Sequence, residues 1–150
     1  MFDEVGDLTI IKAEPNHAWL FTPISIHSER DRLAACQQIE DGAVAYTMIA
    51  PDKEIVGIIG AVFMHEKVMT YWALLSDLIR KYPVGTHKAM LKYIDLVMEK
   101  YNLDRVQTFI DSRNLTAIRH NEKLGLVKEG LLVKFGRDGA NQYVFAKVRA

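Results

Sequence analysis

The stretch from Ala43 to Ser76 most constrains the fold, because three apolar segments follow one another there with only short turns between them. The segments are 43–50, 54–64 and 68–76, and the turns are Pro51-Asp52-Lys53 and His65-Glu66-Lys67. Turns this short cannot carry the crossover connection that parallel neighbours need. The sequence therefore predicts an antiparallel meander of three strands.

The spacing of apolar residues changes directly after this meander. From Val84 to Tyr101 they recur at helical intervals, as at Met90, Ile94 and Val97, which predicts one long helix with a buried stripe. Similar patterns predict strands at 8–13, 105–111, 126–134 and 142–148, and helices at 28–40 and 114–124. The predicted fold class is α/β (α+β), with a mixed central sheet of about six to seven strands and helices on both faces.

The length and composition indicate one globular domain over residues 1–150. Apolar residues make up 49% and charged residues 25% of the 150 residues, which is ordinary for a globular protein. The formal net charge of +0 argues against nucleic-acid binding through a uniformly basic surface. The single cysteine, Cys36, excludes an intrachain disulfide, and no zinc-ligand spacing is present, so we expect no metal.

The N-terminus MFDEVGDLTII carries acidic residues where a signal peptide would carry basic ones. No apolar run approaches the roughly 18 residues of a membrane span. We therefore expect a cytoplasmic protein without a membrane partner.

The segment from Arg80 to Lys92 has the pattern of an anion site at a helix start. It contains the basic residues Arg80, Lys81, His87, Lys88 and Lys92 and no Asp or Glu. Unpaired amides and the helix dipole favour phosphate at such a position, and Gly85 permits close approach of the backbone. The alternative is a solvated basic face on which Gly85 is only a turn residue.

The most informative run extends from Asp111 to Gly130. Asn114 follows a predicted strand and suits a helix N-cap, and Gly125 suits the C-terminal cap. The pattern N-x-x-A-x-x-x-x-E-K-L-G-L-x-x-E-G resembles the C-terminal half of GNAT (Gcn5-related N-acetyltransferase) enzymes, above all those close to the ribosomal-protein alanine acetylases. The order of predicted elements is similar to that family over nearly the whole chain.

This resemblance implies a site for acetyl-CoA between splayed central strands. It places the pyrophosphate on the amides of Val84, Gly85, Thr86 and His87, beside Arg80 and Lys88. It assigns Asn114 and Asn121 to the coenzyme as well, with Asn114 at the pantetheine arm. The acyl group would lie near 73–76, and a primary amine would enter beside the irregular segment 15–26 and the final hairpin.

Two positions depart from the family pattern. Pro83 replaces the first glycine of the phosphate loop, and proline lacks an N–H group. Asn121 stands where many members carry the tyrosine that protonates the leaving thiolate. An amide cannot act as an acid near neutral pH.

Acetyl transfer to an amine needs a polarised thioester carbonyl and a group that accepts a proton. A strand N–H near 74–76 can polarise the carbonyl. Asp77 is the first candidate for the base, Glu66 is another, and Ser76 can protonate the thiolate. For Asp77 the alternative is a carboxylate that ends the strand and faces water.

Three aromatic residues, Trp19, Phe21 and Trp72, are candidates for the wall of the acceptor pocket. Such residues are more often part of a core. Trp19 and Phe21 lie in an irregular, proline-containing segment, which favours a role in binding.

The chain also resembles, more loosely, short GNAT-like proteins of T7-like bacteriophages, on Trp72-Ala73-Leu74-Leu75-Ser76-Asp77 and Met98-Glu99-Lys100-Tyr101. That resemblance implies an alternative to catalysis, a virion or assembly role through binding to a phage or host protein. A homodimer through strand edges is a further expectation.

Overall fold

The expected strands and helices form close to their predicted bounds in the computed structural model, which describes residues 4–25 and 28–150 and, at Ser28, the backbone alone. The strands are β1 Glu4–Val5, β2 Leu8–Lys12, β3 Val44–Ile49, β4 Ile55–His65, β5 Val68–Leu75, β6 Arg105–Asp111, β7 Val127–Leu132 and β8 Gln142–Val148. The helices are α1 Ser28–Glu40, α2 Pro83–Lys100 and α3 Leu115–Lys123, with 3-10 helices at Pro15–Trp19 and Asp77–Arg80.

The eight strands form one mixed sheet in the order β1-β2-β3-β4-β5-β6-β8-β7. The expectation of six to seven strands was therefore too low. The additional strand is β1, which has only two residues and pairs Glu4 with Thr9 and Val5 with Leu8. Two residues are too few to show the alternation by which a strand is recognised in a sequence.

The chain divides into two compact units. The first comprises Met1–Val62 and Tyr71–Tyr93, and the second comprises Phe63–Thr70 and Ile94–Ala150. Each unit is described by itself below.

In the first unit, neighbouring residues of β3 show that α1 and α2 cover opposite faces of the sheet. Ala45 belongs to a buried cluster with Ala35 of α1. Tyr46 instead makes an edge contact with Tyr93 of α2, with ring centroids 6.0 Å apart. Since successive side chains of a strand point to opposite faces, the two helices lie on different sides of β3.

In the second unit, β6 pairs with β5 in parallel over Val68–Thr70 and with β8 in antiparallel fashion along its whole length. The α3 helix is capped as expected. The side chain of Asn114 accepts a hydrogen bond from the Ala117 amide at 3.1 Å. Gly125, with a φ of 88°, ends the helix in the left-handed conformation that favours glycine.

Candidate functional site

The N-terminus of α2 offers two backbone amides without intrahelical acceptors. Pro83 is the first helical residue, and the Thr86 amide already donates to the Tyr82 carbonyl at 3.0 Å. The amides of Val84 and Gly85 lie between these positions, in the turn whose N–H groups no helical carbonyl can reach. At the first helical position proline removes no bond, because its N–H would be unpaired there in any case.

Thr86 contributes to the helix start rather than offering its own groups. Its side chain is buried, and its hydroxyl donates to the Tyr82 carbonyl at 2.7 Å. His87 lies one residue deeper in the helix, where its amide faces the carbonyl of Pro83. Of the four amides in the predicted cradle, those of Val84 and Gly85 are therefore the ones oriented outward.

An open depression of about 240 Å³ lies at this helix start. Its lining residues are Asp7, Leu8, Lys81, Tyr82, Pro83, Val84 and Gly85. Pockets that enclose a drug-sized ligand measure about 300–1,000 Å³. The depression is therefore large enough for a phosphate group or a diphosphate but too small for a whole coenzyme.

The lining includes a carboxylate that the sequence reasoning missed. Asp7 lies in the turn between β1 and β2, far from residues 80–92 in sequence. Residues 80–92 contain no acidic side chain, but the folded helix start has one beside it, because Asp7 lines the same depression. Asp7 carries no local signal for this placement, which results from the packing of the N-terminal hairpin.

Gly85 is where this hairpin meets the helix. A Cβ built on Gly85 would lie 3.2 Å from the Leu8 Cγ and 3.6 Å from the Val5 carbonyl oxygen. Gly85 therefore has a packing role in addition to the predicted role at phosphate.

The basic residues of the segment differ in their surroundings. Arg80 forms an ion pair with Asp77 at 2.5 Å, and both side chains are 75% exposed. Lys81 is exposed and lies over the Tyr82 ring, with its Nζ 5.6 Å from the ring centroid. Lys88 is exposed as well, whereas His87 is half-buried. Lys81 belongs to the predicted basic segment but not to the residues that the resemblance assigns to the coenzyme, and it is the basic side chain that lines the depression.

Ser76 acts as a structural cap at the end of β5. Its hydroxyl lies 3.0 Å from both the Ile55 and the Val56 carbonyl oxygen, which share its one proton, and it accepts from the Leu78 amide at 3.3 Å. The residue is only 6% exposed. These contacts join the start of β4 to the 3-10 helix that leads into α2.

The far edge of β5, which faces away from β4, carries the donors suited to a thioester carbonyl. The Ser76 amide donates to Val56 in β4 at 2.8 Å, whereas the Leu75 carbonyl accepts from the Ile24 amide at 2.9 Å. Backbone groups of successive residues in a strand point to opposite edges. The amides of Leu75 and Ala73 therefore point away from β4, whereas those of Leu74 and Ser76 point toward it.

The irregular segment is fixed to this edge of β5 and to α1. Besides the Ile24–Leu75 bond, Arg32 of α1 donates from Nη2 to the Phe21 carbonyl at 2.5 Å. The Arg32 guanidinium also lies 5.2 Å from the ring centroid of Trp19, which is 46% exposed. Ile26, the last residue of the predicted segment 15–26, lies outside the described residues.

Trp72 and Phe21 are half-buried and pack against the same hydrophobic cluster, which contains Ala18, Ala35 and Leu74. The Nε1 of Trp72 is buried and has no hydrogen-bond partner among the described residues. Both rings are thus largely core, and Trp19 is the exposed member of the three predicted aromatics.

The remaining predicted residues occupy other positions. Asp77 follows β5 after Ser76, and Glu66 is exposed in the turn before that strand, so ten residues of sequence separate the two. In the second unit, Asn121 is buried and its amide donates to the Ala117 carbonyl at 2.8 Å, while Asn114 is exposed at the start of α3.

Tyr71 of β5 has a perturbed acidity. It is 3% exposed, and its burial raises the pKa of the phenol far above its ordinary value. A phenol with so high a pKa stays neutral at physiological pH.

These residues fit the phosphate end of acetyl-CoA. The outward amides of Val84 and Gly85 supply donors, and the ammonium groups of Lys81 and Lys88 supply positive charge. The carboxylate of Asp7 opposes an anion in the same depression. The lining carries one basic side chain, Lys81, and one acidic side chain, Asp7, so it is the two amides and the helix dipole that favour phosphate.

The sequence matches no family model and no curated protein. The structure, however, is similar to many solved ones, among them a GNAT-family acetyltransferase from Bacillus anthracis, with a TM-score of 0.76 and 17% identity over 99% of this chain and 98% of that chain. A ribosomal-protein-S5-alanine acetyltransferase from Vibrio fischeri has a TM-score of 0.72 and 16% identity, over 97% and 94% of the two chains.

A chimera of the spermidine N-acetyltransferase from Vibrio cholerae and hSSAT has a TM-score of 0.74 and 13% identity, over 95% and 96%. At such identities these likenesses establish the fold, which is that of GNAT acetyltransferases. The looser resemblance to phage proteins stays a prediction.

Within 4–25 and 28–150, no helix is long and apolar enough to cross a membrane. In the same residues, no three His, Cys, Asp or Glu side chains come together as ligands for a metal ion.

Proposed function

We propose that this chain is an N-acyltransferase that moves an acetyl group from acetyl-CoA to a primary amine. The observation that carries the proposal is the continuity from the far edge of β5 to the start of α2. The outward amide of Leu75 and the outward amides of Val84 and Gly85 belong to one short stretch of chain. One end suits a thioester carbonyl and the other a diphosphate.

Acetyl-CoA supplies the activated acyl group as a thioester. The amides of Ala73 and Leu75 are the donors that polarise the thioester carbonyl, because they point away from β4. The irregular segment, held by Ile24 at the same edge, borders the path by which the amine enters.

A neutral amine must lose a proton as its nitrogen bonds to the acyl carbon and the carbon–sulfur bond breaks. Asp77 is the proposed acceptor of that proton, through a water molecule, since only Ser76 separates it from the end of β5. Its carboxylate forms an exposed ion pair with Arg80 at 2.5 Å. Ser76 is assigned to structure, because its hydroxyl already donates to main-chain carbonyls.

The proposed cosubstrate is tested by thermal unfolding with acetyl-CoA. A ligand that binds only the folded state stabilises it by about 2.7 kcal/mol at a concentration of 100 times its Kd. We expect millimolar acetyl-CoA to raise the melting temperature. Pantetheine, which lacks the phosphate groups, should raise it much less. A melting temperature that does not respond to millimolar acetyl-CoA would contradict the proposal.

The transfer itself is tested by release of free thiol from acetyl-CoA with a panel of amines. The panel includes spermidine and a peptide with an N-terminal alanine, after the substrates named for the similar structures. We expect amine-dependent thiol release with at least one acceptor. Binding of acetyl-CoA without release for any amine would indicate a coenzyme-binding protein that is not an enzyme.

A further inference from the structure

Two buried donors near the irregular segment are left unused by the proposed transfer. The Nε of Arg32 and the Nε1 of Trp72 are both buried and have no hydrogen-bond partner among the described residues. A buried polar group without a partner costs free energy, so such groups in a folded protein call for an explanation. Both groups can only donate hydrogen bonds.

Both donors belong to side chains that lie near Phe21 of the irregular segment. Arg32 holds the Phe21 carbonyl through its Nη2, and Phe21 and Trp72 pack against the same hydrophobic cluster. Three residues after Phe21, the Ile24 amide binds the Leu75 carbonyl at the edge where the acyl group is expected. This arrangement brings the guanidinium to the proposed acceptor side of the site.

The charge of Arg32 is not balanced by the acid next to it. The Asp31 carboxylate accepts a hydrogen bond from the Ser25 hydroxyl and lies 3.7 Å from the Nε of Arg30. Arg32 instead meets a backbone carbonyl and the face of Trp19. A half-buried guanidinium whose charge meets no carboxylate among the described residues is suited to the carboxylate of a ligand, which forms charge-assisted hydrogen bonds with N–H groups of the guanidinium.

We infer that the acceptor is an amine that also carries a carboxylate, which Arg32 binds while the amine faces the acyl group. Trp19 covers one face of the guanidinium and fixes its plane. The same positive charge disfavours polyamines, which bring further positive charges into the site. This inference rests on the proposed transfer and narrows its acceptor to anionic amines.

The test compares ω-amino acids of three to six carbons with their own amides in the thiol-release assay. Each pair has the same primary amine and differs in one negative charge. We expect kcat/KM to favour the acid over its amide by about tenfold at the best chain length, the order expected of a charge-assisted hydrogen bond. The best chain length then measures the separation between Arg32 and the acyl carbon.

Arg32→Gln should bring the acid-to-amide ratio to about one while transfer to the amides continues. Arg30→Gln is the matched control, because it removes the same charge from the same helix, and it should keep the wild-type ratio. Arg32 also binds the Phe21 carbonyl, so the glutamine variant can fail to fold. In that case Arg32→Lys is the variant in which the acid-to-amide ratio is measured. Lysine lacks the planar fork, so we expect a ratio between those of the wild type and the glutamine variant.

Calorimetric titration of the best ω-amino acid into the chain with coenzyme A gives a second readout. Wild type should bind the acid, and Arg32→Gln should bind it about tenfold more weakly. Equal use of acids and amides, or a preference for spermidine, would overturn the inference but leave the transferase proposal intact. Absence of both an acetyl-CoA-induced thermal shift and thiol release would overturn the transferase proposal and, with it, this inference.

Discussion

Leu8 of β2 packs directly on Gly85 of α2, so that a Cβ on the glycine would lie 3.2 Å from the Leu8 Cγ. This contact brings the turn between β1 and β2 to the start of α2, where phosphate is proposed to bind. The hairpin and the anion site therefore share residues, and substitutions there have both structural and binding effects.

Two substitutions of Gly85 separate these effects. Gly85→Ala should leave the free energy of unfolding within about 1 kcal/mol of wild type, because better helix propensity offsets the tight contact with Leu8. It should keep most of the thermal shift caused by acetyl-CoA. Gly85→Asp adds a carboxylate beside the expected pyrophosphate and should abolish that shift. A shift that survives in Gly85→Asp would place the coenzyme elsewhere.

Asp7 is expected to weaken the binding of acetyl-CoA, since its carboxylate lines the same depression as Lys81. Asp7→Asn should tighten binding several-fold at low salt, measured by titration calorimetry. The gain should shrink at about 1 M salt, where the screening length falls to about 3 Å. Glu40→Gln removes the same charge at the end of α1 and is the control. Equal effects of the two variants would indicate a change of net charge only.

Ser76 is expected to be structural. Ser76→Ala removes the hydroxyl that bonds to the carbonyls of Ile55 and Val56 and caps the following 3-10 helix. The free energy of unfolding by urea should fall by about 1–2 kcal/mol. The kcat of the folded protein should stay within about threefold of wild type, because the hydroxyl takes no part in the proton transfers. A fall in kcat of two orders of magnitude at unchanged stability would make Ser76 the group that protonates the thiolate.

Tyr71 should make the protein sensitive to alkali. Burial raises the pKa of its phenol in the folded state above that in the unfolded chain. The folded state therefore holds its proton where the unfolded state has lost it, and stability falls as the pH rises above about 10, the pKa of a tyrosine in the unfolded chain.

Tyr71→Phe should remove part of this loss between pH 9.5 and 11, measured by urea unfolding at each pH. Tyr101→Phe, on a half-buried tyrosine after α2, is the control. If both variants lose stability with pH as steeply as wild type, the burial of Tyr71 is not the cause.

Much of this fold was predictable because its signals are local. The short turns at 51–53 and 65–67 predict the meander, and both are present in the structure. Asn114 and Gly125 mark the two ends of α3, and each forms the cap that its residue type favours. A cap or a short turn depends on a few consecutive residues, so the sequence carries it in full.

The candidate site depended on contacts that no local pattern contains. Asp7 reaches the start of α2 only because the hairpin packs on Gly85, and Arg32 meets Trp19 and Phe21 only because α1 lies beside the irregular segment. The sequence by itself determined the order of strands and helices, the basic run at 80–92 and the two caps of α3. The tertiary structure alone decided which amides point outward and which charges face the site, because those depend on packing between residues distant in sequence.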